Sequence, residues 1–202
     1  MQKEIEAKFL NQNHDAVRAK LQGLGAICEK PMRMMRRVTM DNDKMHTVDG
    51  FLRVRDEGDR VTITYKQFDD LSSATGTYEI EALLGGGADL EKVVDIINKL
   101  TDVTRQSMQE SKRETWRRGE VEVVLDEWPW LEPYIEIEAP NEKILREFAA
   151  EMGYDYDKEA VFGDVMAAYR VQYPHLTEKD TVGSLPAVRF DDPLPDLLKN
   201  PT

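Results

Sequence analysis

Along much of the chain apolar and polar residues alternate one by one, which is the period of a β-strand rather than of a helix. The alternation is clear over residues 2–10, 50–55, 60–66, 76–83, 108–116, 120–126 and 134–138. Between these runs the apolar spacing lengthens to that of amphipathic helices at about 13–24, 89–100, 141–152 and 163–173. Asn141 is a natural N-cap, Gly153 a natural stop, and the glycines at 85–87 break the chain ahead of the second helix. Short strands separated by glycines at 58, 76 and 119 predict an α+β protein, a mostly antiparallel sheet or barrel with helices packed outside. From Pro174 onward the periodicity fades and proline becomes frequent. The chain therefore divides into a domain over 1–173 and a Pro-rich C-terminal tail over 174–202.

The polar faces of these strands carry charge rather than a mixture of small polar residues. Glu4, Glu6 and Lys8 oppose Ile5, Ala7 and Phe9; Arg53 and Arg55 oppose Leu52 and Val54; Lys66, with Thr62 and Thr64, opposes Ile63 and Tyr65. Glu79 and Glu81 oppose Ile80 and Ala82, Glu122 and Asp126 oppose Val123 and Leu125, and Glu136 and Glu138 oppose Ile135 and Ile137. One such strand is an ordinary half-exposed strand. Six of them repeating Glu-x-Glu and Arg-x-Arg are not, because residues two apart project side by side and like charges repel without a counter-ion. Paired carboxylates suit a hard cation, and paired guanidiniums suit a phosphate. If the sheet closes, the charged face becomes a lumen and the apolar face turns outward to the helices, the inverse of a small barrel with a packed interior.

Composition narrows the ligand. The 202 residues hold 27 Lys and Arg against 39 Asp and Glu, a net charge of −12 that repels nucleic acid and anionic membranes at long range. A small anion responds instead to the local field. Cys28 is the only cysteine, so no internal disulfide forms and a cytoplasmic location is expected. No apolar run approaches a membrane span, and residues 1–10 carry no signal-like apolar segment. With one cysteine and three scattered histidines, a metal would be hard and oxygen-held rather than zinc. The glycines at 85–87 are not a P-loop, since no Gly-Lys-Ser/Thr follows.

Glu4-Ile5-Glu6-Ala7-Lys8 spells ExExK and resembles the signature of the CYTH superfamily, the triphosphate tunnel metalloenzymes. Further segments follow in the order of that family: Gly50 to Arg55, Thr64 to Lys66, Tyr78 to Glu81, Lys112 to Trp116, Leu125 to Glu127 and Tyr134 to Glu138. The resemblance spans about residues 1–170. It implies an eight-stranded antiparallel β-barrel with a charged lumen and helices outside, binding Mg²⁺ or Mn²⁺ and a small-molecule triphosphate. By position, Lys8, Arg53, Arg55, Lys66 and Arg113 would bind substrate. Glu4, Glu6, Glu136 and Glu138 would hold metal, with Asp126 and Glu79 or Glu81 nearby, Glu79 being favoured. Glu4, Glu6, Lys8 and Glu136 would be catalytic.

The implied activity is metal-dependent hydrolysis of tripolyphosphate, thiamine triphosphate or a nucleoside triphosphate. The alternatives are a class IV-type adenylyl cyclase releasing pyrophosphate, and a binding module without turnover. No nucleic-acid or membrane partner is expected, and a homodimer is allowed. One position departs from the pattern: many relatives place a basic residue two before the equivalent of Arg113, where this chain has Ser111. Arg36 and Arg37 could supply the missing charge, against the simpler reading of a solvated basic pair.

Overall fold

The N-terminal alternation becomes a strand in two pieces, and these pieces organise the sheet. The computed structural model describes residues 2–85 and 87–200; Gly86, within the expected glycine break, lies outside the described residues. The strands are β1 (Gln2–Glu4), β2 (Glu6–Phe9), β3 (Ile27–Asp41), β4 (Gly50–Asp56), β5 (Val61–Phe68), β6 (Thr77–Leu84), β7 (Arg105–Arg118), β8 (Val121–Glu127), β9 (Tyr134–Glu138) and β10 (Ala187–Val188). Hydrogen-bonded neighbours run β1-β6-β5-β4-β3-β7-β8-β9-β2, all antiparallel, with β10 added parallel to β7. The path starts and finishes on one N-terminal segment. At Ile5 that segment changes partner: Ala139 N–H donates to Ile5 O (3.0 Å) while Glu6 N–H donates to Ala74 O (3.1 Å).

The α+β class is as expected, but the eight-stranded barrel is met as a ten-stranded sheet that no unbroken ladder closes. The N-terminal strand counts twice because it serves both edges, and β10 comes from the supposed tail. A further difference is β3, a 15-residue strand outside the clearly alternating runs, which takes in Arg36 and Arg37 rather than following them. Pro31 interrupts it, and register shifts between Cys28 and Lys30 and between Lys30 and Arg33 scramble the alternation that would announce it.

The apolar faces of the strands do turn outward. Three long helices cover these faces: α1 (His14–Gly23), α2 (Leu90–Leu100) and α3 (Glu142–Met152). Phe9, Val123, Leu125, Ile135 and Ile137 pack with α1 and α3 through Leu21, Leu145 and Phe148. On the other side Val38, Met40 and Val54 pack against Leu90, Val94 and Ile97 of α2. Side chains of Asn13, Asp89 and Asn141 cap the three helix starts, and Gly153 ends α3 at φ 100°. One consequence of the tight β5–β6 connection is testable. A Cβ on Gly76 would lie 1.6 Å from the Asp70 carbonyl oxygen, so Gly76→Ala is expected to lower the melting temperature by roughly 10 °C or more, read by calorimetry.

Past Pro174 the chain is docked rather than free. Ala187 and Val188 pair with Met108 and Gln109, and Trp130 Nε1 donates to Asp192 O at 3.0 Å. Leu176, Val182, Val188 and Leu198 are buried with Met166 and Tyr169 of the helix Val165–Gln172. Four apolar anchors spaced without a period hold this segment, so periodicity alone could not reveal it. Among the described residues no helix is long and apolar enough to cross a membrane.

Candidate functional site: a charged lumen

Because helices take the apolar faces, the charged faces enclose a cavity of about 1180 Å³. Glu4, Glu6, Lys8, Arg53, Arg55, Lys66, Glu79, Glu81, Arg113, Glu136 and Glu138 all line it. Eleven residues singled out by alternation and resemblance thus share one space. Asp126 does not line it: fully buried, it accepts from Arg113 Nε at 2.7 Å and serves to hold that guanidinium.

The lumen has two electrostatic regions. In the first, Arg37, Arg53, Arg55 and Arg113 converge. Arg55 is pushed down to about 10 by burial and by the like charges of Arg53 and Arg113. Arg37 is likewise lowered, first by burial and then by the like charges of Arg55, Arg53 and Arg113. Arg113 goes the other way: burial opposes its charge, but Asp126 and Glu136 (2.8 Å) outweigh it. Among the described residues, the buried Nε atoms of Arg37, Arg53 and Arg55 have no hydrogen-bond partner. Buried donors that repel one another and lack acceptors are complementary to an anion with many oxygens.

The second region is carboxylate-rich. Lys66 bridges Glu4 (2.7 Å) and Glu79 (3.3 Å), whereas Glu81 instead lies beside Arg53 (3.5 Å) and Arg55 (3.7 Å). Burial raises the Glu4 carboxyl, with Glu79 adding to it against Lys66. Glu138 is pushed up to about 7 by burial and by Glu4, Glu122 and Glu6. Glu136 is held at about 2, since Lys8 and Arg113 overcome the effect of its burial. Three acceptors occupy the Lys8 ammonium: Gly163 O (2.6 Å), Glu6 (3.1 Å) and Glu136 (3.2 Å).

This donor set fits a hard divalent cation, because crowded, buried carboxylates with a raised protonation range are relieved by one. Among the described residues, however, no three acidic side chains are arranged as a ready-made cage. A cation would share these carboxylates with the oxygens of its anion.

Arg37, weighed from sequence as a source of the missing charge against a solvated basic pair, lies on the wall of the lumen. It is 5% exposed, donates to Ser111 Oγ and lies over the Trp128 ring at 4.5 Å. Ser111 thus sits beside a guanidinium rather than leaving its surroundings without a basic group. Its short side chain leaves room for a guanidinium arriving from β3, whose neighbour Arg36 points outward to Asp56 (2.7 Å). Glu57 was missed; it is 2% exposed and held at about 2 because Arg55 and Arg60 outweigh its burial. It steadies Arg55 at 2.7 Å from outside the lumen.

Fold and cavity together define an antiparallel β-sheet wrapped around a charged lumen, with its hydrophobic core outside. The chain belongs to the CYTH domain family, which matches residues 2–161. Similar structures include the PH1012 protein of Pyrococcus horikoshii OT3, 23% identical, with TM-score 0.62 over 78% of this chain and 93% of that one. An adenylate cyclase-like protein of Vibrio parahaemolyticus is 13% identical, with TM-score 0.63 over 82% and 96%. An adenylyl cyclase-like protein of Hippeastrum, described as having a dominant triphosphatase activity, is 17% identical, with TM-score 0.53 over 84% and 96%. At these identities the likeness speaks to the fold alone. No curated protein matches the sequence.

Proposed function

We propose that the protein hydrolyses the terminal anhydride of a triphosphate with the help of Mg²⁺ or Mn²⁺. The observation that carries this reading is the buried cluster of Arg37, Arg53, Arg55 and Arg113, the first three each with an Nε lacking a partner among the described residues, adjacent to carboxylates short of cations. The triphosphatase activity described for the Hippeastrum protein is consistent with it.

Phosphoryl transfer asks the protein mainly to position charge. The four arginines bind the phosphate oxygens and neutralise their charge; Asp126 and Glu136 keep Arg113 in place, as Glu57 keeps Arg55. Lys8 fixes Glu6 and Glu136. Glu4, Glu6, Glu138 and Glu79 would hold the cation, which supplies polarisation of the phosphate oxygens and a counter-charge for the carboxylates. A water attacks the terminal phosphorus, the bond from that phosphorus to the bridging oxygen breaks, and diphosphate and phosphate leave. The proton of that water passes to a lumen carboxylate, Glu4 or Glu136.

The test is to incubate the protein with tripolyphosphate, ATP or thiamine triphosphate in Mg²⁺, Mn²⁺ or EDTA, assaying phosphate, pyrophosphate and cyclic AMP. Phosphate release that needs metal and falls at least about 100-fold in a Glu4→Gln/Glu6→Gln variant is the expected result. Cyclic AMP with pyrophosphate would make the protein a cyclase. Binding without any product would make it a receptor.

A further inference from the structure

Between β8 and β9 the chain turns through a strained residue. The β7–β8 ladder ends at Lys112 and Glu127, and the β8–β9 ladder joins Asp126 to Tyr134, so residues 128–133 belong to neither. Leu131 N–H donates to Trp128 O at 3.2 Å, with Pro129 and Trp130 between them. Trp130 has φ 63°, at the third position of a turn, where a positive φ calls for glycine or asparagine. A bulky side chain keeps that conformation only where its surroundings over-determine it.

Those surroundings lie beyond residue 161, where the family match ends. The Tyr169 hydroxyl donates to Pro129 O at 2.7 Å. The Trp130 carbonyl accepts from Gln172 Nε2 (2.8 Å) and from the Tyr173 hydroxyl (2.5 Å), and its indole N–H donates to Asp192 O (3.0 Å). Glu132 N–H donates to Gln172 Oε1 at 2.8 Å. Five hydrogen bonds from the C-terminal segment thus fix residues 129–132.

The turn begins at Trp128, which lines the cavity and is buried. Its ring lies against the Arg37 guanidinium, 4.5 Å from centre to centre. Arg37 also donates to the Ser111 hydroxyl. A long side chain with a single hydrogen bond keeps rotamer freedom unless a surface confines it, and an aromatic face both confines and attracts a guanidinium. The Trp128 N–H is buried without a partner among the described residues, so the site uses the face of the ring rather than its donor.

We infer that Trp128 is a positioning residue: held by residues 169–192 from outside the matched domain, its ring fixes Arg37 in the pose that meets the anion. The inference rests on the proposed binding of a triphosphate by the lumen arginines. It does not depend on hydrolysis.

Calorimetric titration with tripolyphosphate in EDTA tests it. Trp128→Leu is expected to weaken binding about 10-fold, whereas Trp128→Phe, which keeps a ring face and drops the orphaned N–H, stays within about threefold. In an Arg37→Met background Trp128→Leu should change affinity by less than about twofold, because nothing remains to position. Gln172→Leu/Tyr173→Phe, which releases the Trp130 carbonyl while filling similar space, should cost about threefold, again only when Arg37 is present. Losses that are the same with and without Arg37 would mean a merely structural role and overturn the inference. So would wild-type affinity in Trp128→Leu, or equal losses in Trp128→Leu and Trp128→Phe. Should Trp128→Leu fail to fold, the Gln172/Tyr173 variant decides by the same comparison. Tight wild-type binding that ignores Trp128 defeats this inference and leaves the triphosphate reading standing; absence of wild-type binding defeats both.

Discussion

Replacing Arg37 with methionine is expected to lower kcat/KM toward a triphosphate by about 100-fold and, in the same protein, to raise the melting temperature. The two effects share one cause. Folding buries the Arg37 guanidinium beside Arg55, Arg53 and Arg113, where its charge is disfavoured first by burial and then by those neighbours. Its partners are the Ser111 hydroxyl and the Trp128 ring, and neither carries a negative charge. Methionine fills similar space without the charge, so the resting protein gains while the anion loses a charge-assisted donor. Arg36→Met is the companion control: it removes an outward ion pair with Asp56 and should leave kcat/KM within about twofold. A less stable but fully active Arg37→Met protein would show that the guanidinium has a structural role and does not meet the substrate.

The second large effect concerns pH. In the folded chain Glu138 keeps its proton to about pH 7, whereas in the unfolded chain it titrates near 4.5. Between these values the folded state binds the extra proton, so stability of the metal-free protein declines as pH rises through this window. The term is on the order of 3 kcal/mol when complete, and the raised Glu4 acts in the same direction. Glu57 and Glu136, both held at about 2, have the opposite sign, but their contribution is lost only as pH falls from about 4.5 toward 2. Thermal scans in EDTA should therefore show a melting temperature that drops between pH 5 and 8, with the drop much reduced in Glu138→Gln. Mg²⁺ or Mn²⁺ should restore more at pH 8 than at pH 5.5, and less in the variant. A flat profile in EDTA would mean that the carboxylates are not crowded as described.

Most of this lumen was legible in the sequence because alternation leaves little freedom. Once Ile135 and Ile137 face helices, Glu136 and Glu138 must face the other way, and the same parity fixes Arg53, Arg55 and Lys66. Arg36 and Arg37 stayed ambiguous for a specific reason: adjacent arginines on a strand point to opposite faces, so only one of the pair can enter the lumen. The deciding signal was present in Val38 and Met40, which set the core face and put Arg37 with Thr39 on the other. It was obscured by the irregular first half of β3, where Pro31 and two register shifts hide the strand. Asp126 is a different case: parity points it inward, and its pairing with Arg113 buries it behind the residues that line the cavity. The docked segment beyond Pro174 lay out of reach, since four isolated anchors give no period to detect.

The split at Ile5 has a bearing on how the chain assembles. Of the strands described, the first in chain order needs partners made much later: β6, more than 70 residues on, and β9, near residue 134. Until Tyr134–Glu138 has been synthesised, Glu6–Phe9 has no edge to pair with, and the carboxylates of ExExK face water rather than a lumen. At typical synthesis rates that wait is on the order of ten seconds. Among these strands the signature of the site thus precedes in sequence the partner that completes it, and a helix or loop variant that delays β9 would leave Glu6–Phe9 unpaired for longer.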